Sequence, residues 1–297
     1  MNCGFVILNY VYYQETIKLI STISRYDSVS HIVVVDNKSS NESFEQLSRF
    51  ASDKISVIQT PSNDGYSSGN NYGIRYLLDN FHVDVVAISN PDVEFEESFV
   101  VRLLSDFEKY PQMSVVTGVQ TGPDGQLAPH AFWPDYTVGQ YFRYKAFGLR
   151  TVYHLKKKSP DYLYAKEKLS NHLELFEVGT VEGSLFMIRS EDLKSVGLFD
   201  EHVSFYHEED IFSKKIHGID RTICVDPAVK YIHYGAQTTE KVFTSSAKAR
   251  HLFRSSIYYF NNYLSHNKIL QLLNYLLCWT LRIENYLANK FKSLLRK

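Results

Sequence analysis

Along the first 90 residues, short apolar runs stop abruptly in polar clusters. Cys3–Leu8 ends at Asn9-Tyr10, and His31–Val35 ends at Asp36-Asn37-Lys38-Ser39-Ser40. Lys54–Gln59 runs on to the polar stretch Ser62–Asn71, and Val83–Ser89 ends at Asn90-Pro91-Asp92. Runs rich in Val and Ile with little alternation are the pattern of strands buried on both faces of a parallel sheet. Between them the period becomes helical. Leu19, Ile20 and Ile23 form one stripe from Gln14 to Arg25, Asn41 is placed to cap a second helix, and a third runs through Leu78. A fourth helix begins near Glu96. Strand and helix in this alternation predict βαβ units.

The pattern loosens between about residues 120 and 177. Gly122–Gly125 reads as a turn, His130–Pro134 as an exposed aromatic lip, and Tyr136–Lys168 as an excursion over the site, or an inert insertion, with no clear period. Gly179–Ile188 reads as a strand whose small residues let a substrate approach the backbone. Ser190 is placed to cap a short helix through Val196 that Gly197 closes. Glu208, Glu209 and Asp210 then precede an amphipathic helix. Arg221–Val225 and Val229–Ile232 close the sheet, with His233 after the last strand. From about Ala247 two helices follow. The last carries Ile269, Leu272, Leu273, Leu276, Leu277 and Trp279, then Arg282, Lys290, Lys292, Arg296 and Lys297. Such a basic amphipathic helix suits an anionic membrane surface, or packs on the rest of the chain with a solvated tail.

Composition narrows the class. Of 297 residues 44% are hydrophobic and 22% charged, which excludes a disordered chain. With 32 basic against 33 acidic residues the net charge is −1, so no global field draws the chain to nucleic acid. Cys3, Cys224 and Cys278 have no metal-ligand spacing and suggest a reducing compartment. There is no basic segment leading an apolar one at the N-terminus, and no run nears the ~20 apolar residues of a membrane span. These observations give the expectation of a cytoplasmic protein.

Ligands of open α/β sheets sit beyond the carboxyl ends of the strands. That places Asn9, Asp36, Asn63 and Asp92 along one crevice. No glycine-rich phosphate loop follows the first strand, so a nucleotide would be held without one. An ionised Asp36 could accept the imide N–H of uracil or thymine, and Asp92 suits a hard divalent cation. The three acids at residues 208–210 read either as catalytic carboxylates or as a favourable charge cluster at a helix start.

The matching pieces are Asn9-Tyr10, Asp36-Asn37-x-Ser39, Asn63-x-Gly65-x-x-x-Gly69-x-Asn71, Asn90-Pro91-Asp92, Gly183-Ser184, Phe199-Asp200-Glu201, Tyr206-x-Glu208-Glu209 and His233. Taken in order over residues 3–240, they resemble the family 2 glycosyltransferases of the GT-A fold, particularly bacterial members that build cell-envelope polysaccharides. The resemblance implies a mostly parallel sheet flanked by helices in residues 1–240, and a helical extension over 241–297. It implies inverting transfer from dTDP-rhamnose or a UDP-hexose to a glycan or lipid-linked saccharide, on the inner face of a membrane. Asp92 and His233 would hold Mn2+ or Mg2+, with Asn90 standing where the family has the first acid of its metal element. Asp36 would contact the base, and Asn9, Tyr10, Asn63, Gly65, Asn70, Asn71, Asn90, Trp133, Gly183 and Ser184 would shape the donor site. Glu209 is the expected general base, with Glu208 and Asp210 as the other candidates. The competing readings are a sugar nucleotidyltransferase, which would carry a basic glycine-rich loop after its first strand, and a silent binding subunit.

Overall fold

The valine- and isoleucine-rich runs form the centre of one sheet. The computed structural model describes residues 1–145, 159–235 and 244–295. Strands β1 (Cys3–Asn9), β2 (Val29–Asp36), β3 (Ile55–Gln59) and β4 (Val85–Ser89) are parallel, in the order β3-β2-β1-β4. They alternate with α1 (Tyr13–Ile23), α2 (Ser43–Ser48) and α3 (Tyr66–Asn80). A two-residue strand, β5 (Val93–Glu94), and α4 (Glu97–Lys109) follow. Asn41 lies one residue before the N-cap position of α2, yet its Oδ1 accepts from the Ser43 amide at 3.3 Å and the Ser43 hydroxyl at 2.6 Å. Apolar layers on both faces of the sheet hold fully buried residues such as Phe5, Ile7 and Leu103 on one side, and Val6, Ile74 and Leu77 on the other.

Beyond β4 the sheet becomes mixed. It continues through β10 (Leu185–Arg189), β6 (Met113–Thr121) and β11 (Thr222–His233) to β5, and β8 (Phe176–Val178) pairs with β11. β10 is antiparallel to β4 and to β6, whereas β11 is parallel to β6. Two sequence expectations change here. The run Gly179–Ile188 divides into β9 (Thr180–Val181), which pairs with β7 (Phe132–Trp133), and the separate strand β10. The two closing segments are instead one strand, β11, whose register with β6 jumps between Asp226 and Lys230.

The loose region also holds helices, α5 (Val138–Lys145) and α6 (Pro160–Asn171), which its sequence did not reveal. In α6 only Ala165 is buried, so no apolar stripe marks it. Helix α7 (Ser190–Ser195) begins at Ser190 rather than being capped by it, and Gly197 ends that region at φ +75°. Helix α8 (Glu208–His217) starts at the acid cluster. The C-terminal part is α9 (Ser245–Tyr259), a π turn over Phe260–Leu264 and α10 (Lys268–Leu295). Arg296 and Lys297 of the expected basic tail lie outside the described residues, as does the middle of the 136–168 excursion.

Candidate active site

All four parallel strands deliver their carboxyl ends to one edge, and a cavity of about 1060 Å³ opens there. Its wall takes Tyr10 after β1, Asn37 after β2, Asn63, Asp64 and Gly65 ahead of α3, and Asn90 and Asp92 after β4. The antiparallel β10 starts at this edge, which adds Glu182 and Gly183, and β11 ends there with His233. Helix α8 supplies Glu208, Glu209 and Asp210, and Trp133 and His251 come from β7 and α9. A recess of about 210 Å³ beside it is lined by Tyr136, Tyr141, Tyr144 and Tyr259 together with Trp133.

The first two strand ends do not meet the cleft as the sequence suggested. Asn9 and Asp36 are register partners and both are fully buried. Asp36 Oδ1 accepts from Asn9 Nδ2 at 2.9 Å and from Ser39 Oγ at 2.5 Å, while Oδ2 accepts from the Ser39 amide at 3.1 Å and Gln59 Nε2 at 2.9 Å. Four donors fill a carboxylate's acceptor sites. These contacts make Asp36 and Asn9 an anchor for the loops around them. Three further candidates also belong behind the wall. Asn71 exchanges hydrogen bonds with the Phe199 backbone at 2.9 and 3.0 Å and donates to Glu201 at 2.8 Å. Asn70 is buried and donates to the Tyr66 carbonyl at 3.1 Å. Ser184 is buried, and its hydroxyl meets the Tyr231 hydroxyl at 2.9 Å.

Strand register builds the cation edge. Val93 pairs with His233, and the Tyr234 amide donates to the Asp92 carbonyl at 2.9 Å. This brings His233 Nε2 to 3.3 Å from Asp92 Oδ1, with the side chains only 10% and 12% exposed. Burial lowers the His233 pKa, but its hydrogen bond to Asp92 and the charges of Glu182 and Asp92 outweigh it, so the net direction is upward. An imidazole beside a carboxylate is a donor pair that Mn2+ accepts. Among the described residues no three His, Cys, Asp or Glu side chains converge as a complete metal cage. Asp92 and His233 are two donors that would suit a cation, and its other ligands would have to come from a bound diphosphate or water. Gln120 supports that fit. Its Nε2 lies 2.8 Å from His233 Nδ1 while its buried Oε1 has no partner among the described residues, and rotating the amide would let His233 Nδ1–H donate to Oε1 and leave the His233 Nε2 lone pair free.

The acid edge is equally specific. Tyr206 and His207 both take left-handed backbone, at φ 71° and 68°, immediately before α8. Asp210, the third acid, is occupied: it accepts from the Trp133 indole at 2.8 Å and sits 2.6 Å from His207 Nδ1. Trp133 is therefore half-buried beside Phe132, which is wholly buried, and the expected exposed lip is part of the wall. Glu208 is buried, and burial first, with the nearby Asp210 and Glu182 charges, brings its pKa up to about 7. Glu209 is pushed well up from the usual carboxylate range by burial, then by Glu208 and Glu182. It faces Gly183, where an added Cβ would lie 2.7 Å from Glu209 Oε1, and the Tyr66 hydroxyl donates to the Gly183 carbonyl at 2.6 Å. Gly65 is required for the same wall: at φ +101° an added Cβ would meet the Ser204 carbonyl at 2.3 Å. Asn37 stands in the motif with Asp36 but was given no role of its own, and Glu182, Tyr66, His207 and His251 were not selected from the sequence. The first four each neighbour a residue that was, but His251 is contributed by a distant helix with no local signal.

A sheet of this order, with its cleft at the parallel carboxyl edge and a carboxylate–imidazole pair beside it, is a GT-A fold. The mannosyltransferase PcManGT from Pyrobaculum calidifontis, solved with GDP-Man and Mn2+, matches with a TM-score of 0.59 at 14% identity, over 96% of this chain and 74% of that one. GalNAc-T7, solved with UDP, GalNAc and Mn2+, gives 0.60 at 14% identity over 92% of this chain and 54% of that one. TarS 1-349 of S. aureus with UDP-GlcNAc gives 0.55 at 13% identity, over 89% and 68%. The chain belongs to glycosyl transferase family 2, whose model matches residues 5–197. The low-salt glycan biosynthesis hexosyltransferase Agl10 of Haloferax volcanii is 30% identical over 206 residues, 69% of this chain. The chain spans 58% of that relative's length.

Proposed function

We propose that this chain transfers a hexose, with inversion, from a nucleoside-diphosphate sugar to a hydroxyl of a glycan or lipid-linked saccharide. The observation that carries this reading is that one cleft holds both a carboxylate of raised pKa, Glu209, and the Asp92–His233 pair. Asp92 and His233 would hold a divalent cation, Mn2+ or Mg2+, which when bound neutralises charge on the departing diphosphate. Glu209 takes the acceptor hydroxyl's proton as the new bond to the anomeric carbon forms and the bond to the diphosphate oxygen breaks, its electron pair leaving with the nucleotide. A raised pKa suits that task, because a base titrating nearer the working pH is the more effective one. A single displacement with one base inverts the anomeric centre. Asp210, tied to Trp133 and His207, positions the start of α8 instead of taking the proton. Tyr10, Asn37, Asn63 and Asp64 form the wall that would face the nucleoside. Among the described elements no glycine-rich cradle follows β1, which counts against the nucleotidyltransferase alternative.

Donor choice is tested by thermal shift with dTDP-rhamnose, UDP-hexoses and GDP-mannose, each with and without Mn2+, followed by transfer assays with the stabilising donor. Guanine donors belong in the panel because PcManGT was solved with GDP-Man. We expect stabilisation by one donor class that depends on Mn2+, and loss of both that dependence and transfer in Asp92→Ala, since an uncompensated diphosphate costs several kcal/mol. Full transfer in EDTA, or no stabilisation by any nucleotide sugar, would overturn the reading.

A further inference from the structure

Helix α10 is apolar on two opposite sides. One side, carrying Asn274, Cys278 and Leu281, is buried at 0%, 6% and 8% exposure. The other carries Ile269, Leu272, Leu276, Trp279 and Ile283, which are 43–71% exposed. Spacings of three and four residues put these five on one stripe, about 21 Å long at 1.5 Å per residue. The inner side already seats the helix, with Leu270 packed against the buried cluster of Tyr141, Tyr259 and Phe260, so folding does not explain the outer stripe. Nothing among the described residues covers it, and contiguous exposed apolar surface of this kind marks a contact site. The charge around it is equally uneven. From Lys241 to the end the sequence has ten Lys or Arg and one acid, Glu284, giving +9, so with −1 for the whole chain the first 240 residues carry −10. Arg250, Arg254, Lys268 and Arg282 of this segment are exposed.

We propose that α9 and α10 dock the protein on the surface of an anionic lipid bilayer through this stripe. The occupant must be both apolar and negative, and an anionic bilayer offers acyl chains beneath acidic headgroups. A second copy would set one +9 segment against another, which like charge opposes. No helix among the described residues is long and apolar enough to cross a membrane, so α10 lies in the interface, with Trp279 at headgroup depth. Because α9 also contributes His251 and Leu252 to the cleft wall, the helix pair borders both the cleft and the lipid surface.

The proposal does not depend on the transfer reaction, and vesicle binding tests it separately. The full chain should sediment with vesicles of phosphatidylcholine containing phosphatidylglycerol, bind pure phosphatidylcholine weakly, and be released as salt is raised to about 1 M. Changing Leu272, Leu276 and Trp279 together to Gln should lower binding at least ~10-fold, with the circular-dichroism melt unchanged because these side chains are exposed. If that variant melts early, Lys268→Glu with Arg282→Glu carries the test, and should weaken binding to anionic vesicles several-fold. The proposal is overturned if the intact chain stays in the supernatant with both vesicle types, or if binding survives the variants. It is also overturned if the chain instead forms a salt-resistant dimer that the triple variant abolishes.

Discussion

Two groups of buried carboxyls sit on different faces of the same sheet. Asp106 of α4 and Asp226 of β11 share the Arg102 guanidinium, whose Nε is 2.6 Å from Asp226 and 3.6 Å from Asp106. Burial, then the hydrogen bond and charge of Asp226, lift Asp106 to about 7, as burial lifts Glu208 to about 7 at the start of α8. The direction and its leading cause, burial, are the same in both. They differ in what surrounds them: neither Asp106 nor Asp226 touches the cavity, and a cation closes their group, whereas Glu208 and Glu209 line the cavity. A perturbed carboxyl is a catalytic candidate only where a substrate can reach it.

Initial transfer rates give the largest expected separation. Glu209→Gln keeps shape but removes basicity and should lower turnover about 10²–10⁴-fold with donor affinity little changed. Asp106→Asn should leave turnover per folded molecule unaltered. Wild-type turnover in Glu209→Gln with a dead Glu208→Gln would move the base by one residue, and retention in both would reduce the cluster to a helix-start charge effect. Stability should separate the groups in the opposite sense. Arg102→Ala leaves a buried acid pair without its cation and should cost about 3 kcal/mol in denaturant unfolding, while the proton-transfer step is untouched. A loss of well under 1 kcal/mol would mean that Asp106 and Asp226 share one proton and need no cation.

The smallest effect is one the two groups should share. An acid whose folded pKa is raised holds its proton in the native state where the unfolded chain has released it, so its stabilisation is lost as pH rises. For Glu208, between the ordinary 4.5 and about 7, and for Asp106, between the ordinary 3.8 and about 7, stability should fall from about pH 4 to about pH 7. Glu208→Gln and Asp106→Asn should each flatten that fall, by on the order of 1–3 kcal/mol. Equal slopes in wild type and both variants would show the acids already ionised at the lower pH.

Much of this was legible because β1, β2 and β4 are short, apolar and almost wholly buried, so their ends stand out in the sequence. What a strand end does not reveal is which of two successive polar residues faces the cleft. Neighbouring side chains alternate, and Asn9 and Asp36 point to the inside while Tyr10 and Asn37 line the wall. β6 is buried at every position but was hidden by its polar residues. Those groups are satisfied across the sheet, as where Thr117 donates to the Leu185 carbonyl at 2.6 Å and Thr121 to that of Tyr231 at 3.1 Å. The acids at 208–210 stand out by their charge, and the resemblance puts Glu209 first among them; packing adds that Asp210 is held by Trp133 and His207.

The contacts of α9 bear on where the chain can be cut or grafted. Tyr258 and Tyr263 donate to Asp200 at 2.9 and 2.6 Å, and with the His202 hydrogen bonds they offset burial and bring that acid down to about 2. Ser256 meets His207 Nε2 at 3.0 Å, and the Tyr259 ring stacks on the same imidazole at 4.9 Å. His207 is the left-handed residue that hands the chain to the three acids of α8. A recombinant boundary at residue 240 would sever the ties that Ser256, Tyr258, Tyr259 and Tyr263 make to Asp200 and His207. The helical run breaks at Ser265–Asn267, between the π turn and α10, so a cut placed there keeps α9 together with α8.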